Sequence, residues 1–133
     1  MGESASIARR WFDEVWVAGG EATVDQLMAP DCVGQMEGVQ IRSPMDFKDA
    51  RRRMLIAFPD LRITIEDTIE EGGRVAVRWN AKATHSGEGL GIAPTKRRVS
   101  FRGITWLEVR EGRIVRGWDS WNMGALVESL RES

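Results

Sequence analysis

The sequence predicts an α+β fold, a curved antiparallel sheet with N-terminal helices packed over one face. Three observations predict it. As far as Pro59 the apolar residues recur at helical spacing, from Leu61 onward the period changes to two, and Gly72-Gly73 and Glu111-Gly112 punctuate the second half where a meander would turn.

Ile7, Ala8, Trp11, Phe12, Val15 and Trp16 follow Ser4 and Ser6 on one stripe, so a helix should run from about Ser4 to Ala18 and end at Gly19-Gly20. Ala22 to Met28 reads as a second short helix stopped by Pro30, and Cys32 to Met36 as a short strand. Ser43-Pro44 is a capping serine followed by a first-turn proline. The helix it starts carries Phe47, Ala50, Met54, Leu55 and Phe58 up to Pro59. Next comes a strand with Leu61, Ile63, Ile65, Asp67 and Ile69 on one face and Arg62, Thr64, Glu66 and Thr68 on the other. After Gly72-Gly73, Arg74 to Ser86 places Val75, Val77, Trp79, Ala81, Ala83 and His85 together, opposite Arg78, Asn80, Lys82 and Thr84. A Gly-rich loop, Ser86 to Thr95, leads into the longest hairpin, and Asn122 to Leu130 closes the chain as a short helix.

That hairpin, Arg97 to Arg110 and Glu111 to Asn122, carries the candidate site. A two-residue turn would put Glu111 at positive φ, whereas a loop of Arg110, Glu111 and Gly112 puts only the glycine there. The three-residue loop is therefore expected. It pairs Val109 with Arg113, Leu107 with Val115, Thr105 with Gly117, Gly103 with Asp119 and Phe101 with Trp121. Asp119 then lies on a face that is apolar apart from Thr105 and, at the hairpin end, Arg113, opposite a glycine that leaves room beside it, which is the setting of a site.

Composition narrows the class. At 133 residues and 15.0 kDa the chain fits one domain, residues 1–133. One cysteine, Cys32, excludes an intrachain disulfide, and one histidine, His85, speaks against a zinc site. Nineteen basic and twenty acidic residues give no electrostatic reason to expect nucleic acid or an anionic membrane as partner. Arg51-Arg52-Arg53 and Lys96-Arg97-Arg98 read as solvated faces. The chain has neither a bilayer-length apolar run nor the apolar region of a secretory signal, so a cytoplasmic location is expected.

The segments RRWFDEVW, FPDL, THSGEGLGIAPTKRRVSF and EGRIVRGWDSW together resemble the SnoaL-like polyketide cyclase or ester cyclase family, of the nuclear transport factor 2-like fold. The most specific part is Thr84, His85, Gly87, Gly91, Ile92, Pro94, Thr95, Arg97 and Arg98. The resemblance implies a cone-shaped, strongly curved sheet wrapped around a deep pocket that the N-terminal helices close. It also implies an aspartate acid/base on the last strand, at the position of Asp119. In the characterised cyclases an assisting histidine falls at Thr105 and a polar residue at about Gly34, and many relatives carry a second aspartate where Asn122 stands. These are departures. The implied reaction is an intramolecular aldol closure on a small apolar carbonyl compound, needing neither metal nor cofactor.

On this reading Asp119 is catalytic, and Thr105, Trp121, Phe101, Trp79, His85, Phe12 and Trp16 contact the substrate. His85 reads as a hydrogen-bonded histidine at the pocket rim. Trp106 and Trp118 fall on the opposite hairpin face with Ile104 and Arg116, a composition that suits a homodimer interface. Three other readings compete. A ketosteroid-isomerase-like enzyme would want a tyrosine, which the chain lacks. An epoxide hydrolase would want an arginine and a second carboxylate at Asp119, and a binding module would only orient a small apolar ligand there.

Overall fold

The computed structural model describes residues 2–17 and 19–131. Its elements are α1 (Glu3–Glu14), α2 (Glu21–Leu27), β1 (Met28–Met36), β2 (Val39–Ile41), α3 (Pro44–Ala57), β3 (Arg62–Glu71), β4 (Arg74–Thr84), β5 (Arg98–Arg110), β6 (Arg113–Trp121) and α4 (Met123–Arg131). The expected α+β architecture is present. One curved, unclosed sheet has the order β2-β1-β6-β5-β4-β3, and all its pairings are antiparallel except β1 with β6. The regular part of the first helix ends at Glu14, and its expected last residue, Ala18, lies outside the described residues.

The helices form for the reasons legible in the sequence. Ser43 is the N-cap of α3, its hydroxyl accepting from the Asp46 N–H at 3.3 Å, with Pro44 in the first turn. Trp11 and Phe12 of α1 and Phe47 and Met54 of α3 turn inward and are buried in one core with the row Val75, Val77, Trp79, Ala81 and Ala83 of β4. Burying each large aliphatic or aromatic side chain there contributes roughly 1.5–3 kcal/mol before entropy is counted.

Two side chains tie α1 down by its ends. Glu70 accepts from the N–H groups of Gly2 (3.0 Å) and Ala5 (2.7 Å) and from the Ser4 hydroxyl (2.5 Å), satisfying donors that a helix start leaves open. At the other end Arg51 donates to the carbonyls of Val15 (2.6 Å) and Val17 (2.7 Å). Arg51 is buried, so the solvated-face reading of that residue is corrected: it is the donor for carbonyls that the end of α1 cannot pair internally.

Four expectations about strands also change. Pro30 does not merely stop a helix, because the chain passes from α2 directly into β1 and the proline sits where the β1–β6 register breaks, between Met28 and Val33. The short β2 was not foreseen. In β3 a bulge between Ile65 and Asp67 swaps the faces, leaving Ile69 71% exposed and turning Glu70 toward α1. The fourth change is the β5–β6 hairpin, which turns on two residues, with Glu111 at φ 51° and Gly112 at φ 77°. That turn matches the right-handed twist of the strands, which offsets the about 1–2 kcal/mol a non-glycine residue loses at positive φ.

The register follows from the turn. Arg110 pairs with Arg113 and Val109 with Ile114, a bulge intervenes, and then Leu107 faces Gly117, Thr105 faces Asp119 and Gly103 faces Trp121. The bulge restores the parity that the shorter turn shifts. Leu107, Thr105, Gly117, Asp119 and Trp121 therefore share the inner face as expected, but Asp119 lies opposite a hydroxyl and not opposite Gly103.

Candidate active site

The centre of the inner face is a row of hydrogen bonds. Trp79 on β4 donates its indole N–H to Thr105 Oγ1 on β5 at 2.9 Å, and the Thr105 hydroxyl donates to Asp119 Oδ1 on β6 at 2.5 Å. Register makes this possible. Val77 pairs with Thr105 and Thr105 with Asp119, while Trp79 pairs with Gly103 and reaches Thr105 along the diagonal. Gly103 is required, since a Cβ there would lie 2.5 Å from the Trp79 ring and 2.8 Å from the Trp121 Cβ.

Thr105 and Asp119 line a cleft of about 400 Å³, its mouth included, with Trp11, Met28, Cys32, Met36, Ile41, Phe47, Leu107 and Ile114 among its other walls. Its interior is narrow, with room for the centres of water molecules amounting to about 40 Å³. Trp11 and Phe47 meet with ring centroids 4.8 Å apart. On the far wall β1 runs parallel to β6 with Gly34 beside Gly117, an approach that only glycine permits because a Cβ at position 34 would lie 2.2 Å from the Gly117 carbonyl oxygen.

This environment acts on the carboxyl. Burial pushes Asp119 up to about 6, the hydrogen bond from Thr105 opposes that rise, and the nearby Glu37 carboxylate adds to it. Desolvation prevails because the walls are apolar, so the carboxyl holds its proton more tightly than a solvated one does.

The other expected contacts divide. Trp121 lies one row beyond Asp119 and stacks on Phe101, a further row along β5, at 4.8 Å and 27°, with Trp79 edge-on to Phe101 at 6.1 Å; neither Phe101 nor Trp121 lines the cleft that holds Asp119. Phe12 and Trp16 border a different surface groove, with Leu55, Leu61 and Ile63, and it is Trp11 that α1 supplies to the cleft. His85 is not at a rim: it is completely buried, packed on Phe58 with ring centroids 5.5 Å apart, and its Nδ1 accepts the Thr95 N–H at 3.3 Å. Its Nε2 has no hydrogen-bond partner among the described residues. Asn122 accepts the Ala125 N–H at 2.8 Å, at the start of α4. Arg78 and Arg102 border the outer groove with Trp106 and Trp118, so neither supplies the arginine that an epoxide hydrolase would place at Asp119.

Sequence reasoning missed the β1 contribution, Met28, Cys32 and Met36. The strand from Cys32 to Met36 was legible, but nothing local told which strand it would join. The facing glycines 34 and 117 were the available signal.

An apolar cleft on the inner face of a curved sheet, with one carboxyl at its centre and helices over it, defines a small-molecule pocket protein of α+β architecture. The family model for SnoaL-like polyketide cyclase matches residues 6–130, and the chain belongs to that family. No curated protein matches the sequence. Among solved structures, a candidate SnoaL-like polyketide cyclase from Jannaschia sp. CCS1 is similar, with TM-score 0.92 at 18% identity over 98% of this chain and 93% of that one. IdmH, a candidate polyketide cyclase from Streptomyces antibioticus, is 25% identical over 97% of this chain and 98% of its own, with TM-score 0.83. AclR, a candidate hydroxylase from Streptomyces galilaeus, is 30% identical over 96% of this chain and 80% of its own, with TM-score 0.84.

Among the described residues no helix is long and apolar enough to cross a membrane.

Proposed function

We propose that this protein catalyses acid/base chemistry on a small apolar carbonyl compound, with Asp119 moving the proton. The observation that carries the reading is the setting of that carboxyl: one oxygen held by Thr105, apolar walls around it, and affinity for a proton raised to about 6. A carboxylate at its ordinary value near 3.9 is a weak base toward carbon acids, and desolvation is the means of strengthening it.

The reaction is an intramolecular aldol closure. Asp119 takes a proton from a carbon flanked by carbonyls, the enolate carbon attacks a ketone of the same molecule, and the protonated Asp119 returns its proton to the new alkoxide. One C–C bond forms, and the proton taken is the proton returned, with no other reactant consumed. Trp11 and Phe47 offer aromatic surface in the cleft that holds the carboxyl, which suits a planar conjugated substrate. AclR favours a second reading, hydroxylation, which would share only the first step, proton removal from an activated carbon by Asp119.

Exchange of activated C–H for deuterium isolates that step. Wild type should catalyse exchange into β-keto esters in heavy water, followed by NMR, and Asp119→Asn should not. Ligand binding that is equal in the two proteins, with exchange in neither, would replace the enzyme by a binding module.

The proposed assembly is a homodimer through the outer face of β5 and β6. Trp106 and Trp118 pair directly across the strands there, 44% and 43% exposed, beside Ile104 and Arg116. Glu66, Arg78, Glu108 and Arg116 mix both signs around the tryptophans, so a second copy related by a two-fold axis can meet positive with negative.

A further inference from the structure

We propose that Trp79 is a positioning residue for Asp119, acting through Thr105: its indole N–H fixes the Thr105 hydroxyl as donor to Oδ1, leaving Oδ2 as the oxygen that exchanges the proton. The inference deepens the acid/base reading and rests on it for the meaning of "exchanges".

An indole N–H donates and cannot accept. A threonine hydroxyl has one proton, and here one of its lone pairs takes the Trp79 N–H at 2.9 Å. Its own proton is directed at Asp119 Oδ1 at 2.5 Å, so the chain of bonds has a fixed polarity from indole to hydroxyl to carboxylate. Thr105 is 3% exposed and Trp79 4%, so water does not compete for either. A carboxyl proton on Oδ1 would face the Thr105 proton head-on, whereas Oδ2 carries no such conflict. Free rotation of the hydroxyl would blur this distinction, and the Trp79 donor narrows it by occupying one of the positions the hydroxyl proton could otherwise take.

The surroundings leave few other groups able to set the titration. Glu37, in the turn after β1, raises Asp119, and Cys32 on β1 is itself pushed up to about 11 by burial and then by Asp31. The neighbours from α1, α3, β4 and β5, namely Trp11, Phe47, Trp79, Thr105 and Leu107, carry no titratable group.

The test is a carboxyl titration by carbon-13 NMR on the whole chain, assigned with Asp119→Asn. It requires no substrate, so an Asp119 inert in deuterium exchange would sink the functional reading without touching this one. Thr105→Val should raise the Asp119 midpoint by about one to two pH units, the loss of a hydrogen bond to a charged group. Thr105→Ser should restore it. Trp79→Phe should raise it by about half a pH unit, the share that one bond of a chain lends the next. Because phenylalanine also leaves a void, a benzothienylalanine at position 79, which keeps the shape and lacks the N–H, is the decisive variant. Combined with Thr105→Val it should add nothing. The positioning role is overturned if that isostere leaves the midpoint where the wild type has it, or if its effect persists undiminished once the Thr105 hydroxyl is gone.

Discussion

The two faces of the β5–β6 hairpin are made by alternate residues of the same strands, and each carries what the other would hold more cheaply. The inner face keeps a carboxyl, Asp119, among Trp11, Phe47 and Leu107, where ionisation is opposed by desolvation. The outer face keeps Trp106, Trp118 and Ile104 in contact with solvent. A hairpin selected for stability alone would exchange them, since buried charge and exposed large apolar surface both raise the free energy of the folded chain. That difference is what the proposed function accounts for, with a small molecule bearing an acidic C–H as the partner proposed for the inner face and a second copy of the chain as the one proposed for the outer.

The sharpest way to break this comparison is Asp119→Asn. It keeps the shape and cannot accept the proton, so turnover should fall by roughly 10²–10⁴-fold while ligand affinity changes far less. Kinetics beside calorimetric binding would show it, and equal rates for the two proteins would remove the chemistry from the inner face. The outer face is broken by Trp106→Arg with Trp118→Glu. Sedimentation at micromolar concentration should turn from dimer to monomer, with the rate per chain preserved where each pocket is complete in itself. Wild type that sediments as a monomer would leave those tryptophans without the proposed partner.

Stability separates the faces further. A carboxyl raised from 3.8 to about 6 binds its proton more tightly folded than unfolded, so Asp119 favours folding at low pH and loses that advantage as pH rises from about 4 to 6. Asp119→Asn should accordingly be the more stable protein at pH 7, by up to about 3 kcal/mol, with the gap closing below pH 4. Melting curves across pH read this directly, and a variant less stable at pH 7 would mean the carboxylate's hydrogen bond outweighs its burial. The smallest effect belongs off both faces. His85→Gln should cost about 0.5–1.5 kcal/mol, one hydrogen bond to Thr95, with turnover nearly unchanged. A large drop in rate at constant melting temperature would bring His85 into the chemistry.

The sequence by itself determined what repeats along the chain. Helical stripes gave α1 and α3, alternation gave the inner row of β4, the Ser43-Pro44 cap gave a helix start, and parity put Thr105 and Asp119 on the same side. These properties are set by side chains a few residues apart and by the fixed periods of helix and strand. Tertiary structure decided whatever depends on a partner distant in sequence: that β1 lies parallel to β6 and walls the cleft, that Glu70 and Arg51 serve the two ends of α1, and that Trp79 reaches Thr105. It also decided the turn at Glu111 and the bulges in β3 and β6. A one-residue change of register is nearly neutral locally and is fixed only by how the whole sheet twists and packs, which is why Asp119 could be placed on its face from the sequence but not opposite its hydroxyl.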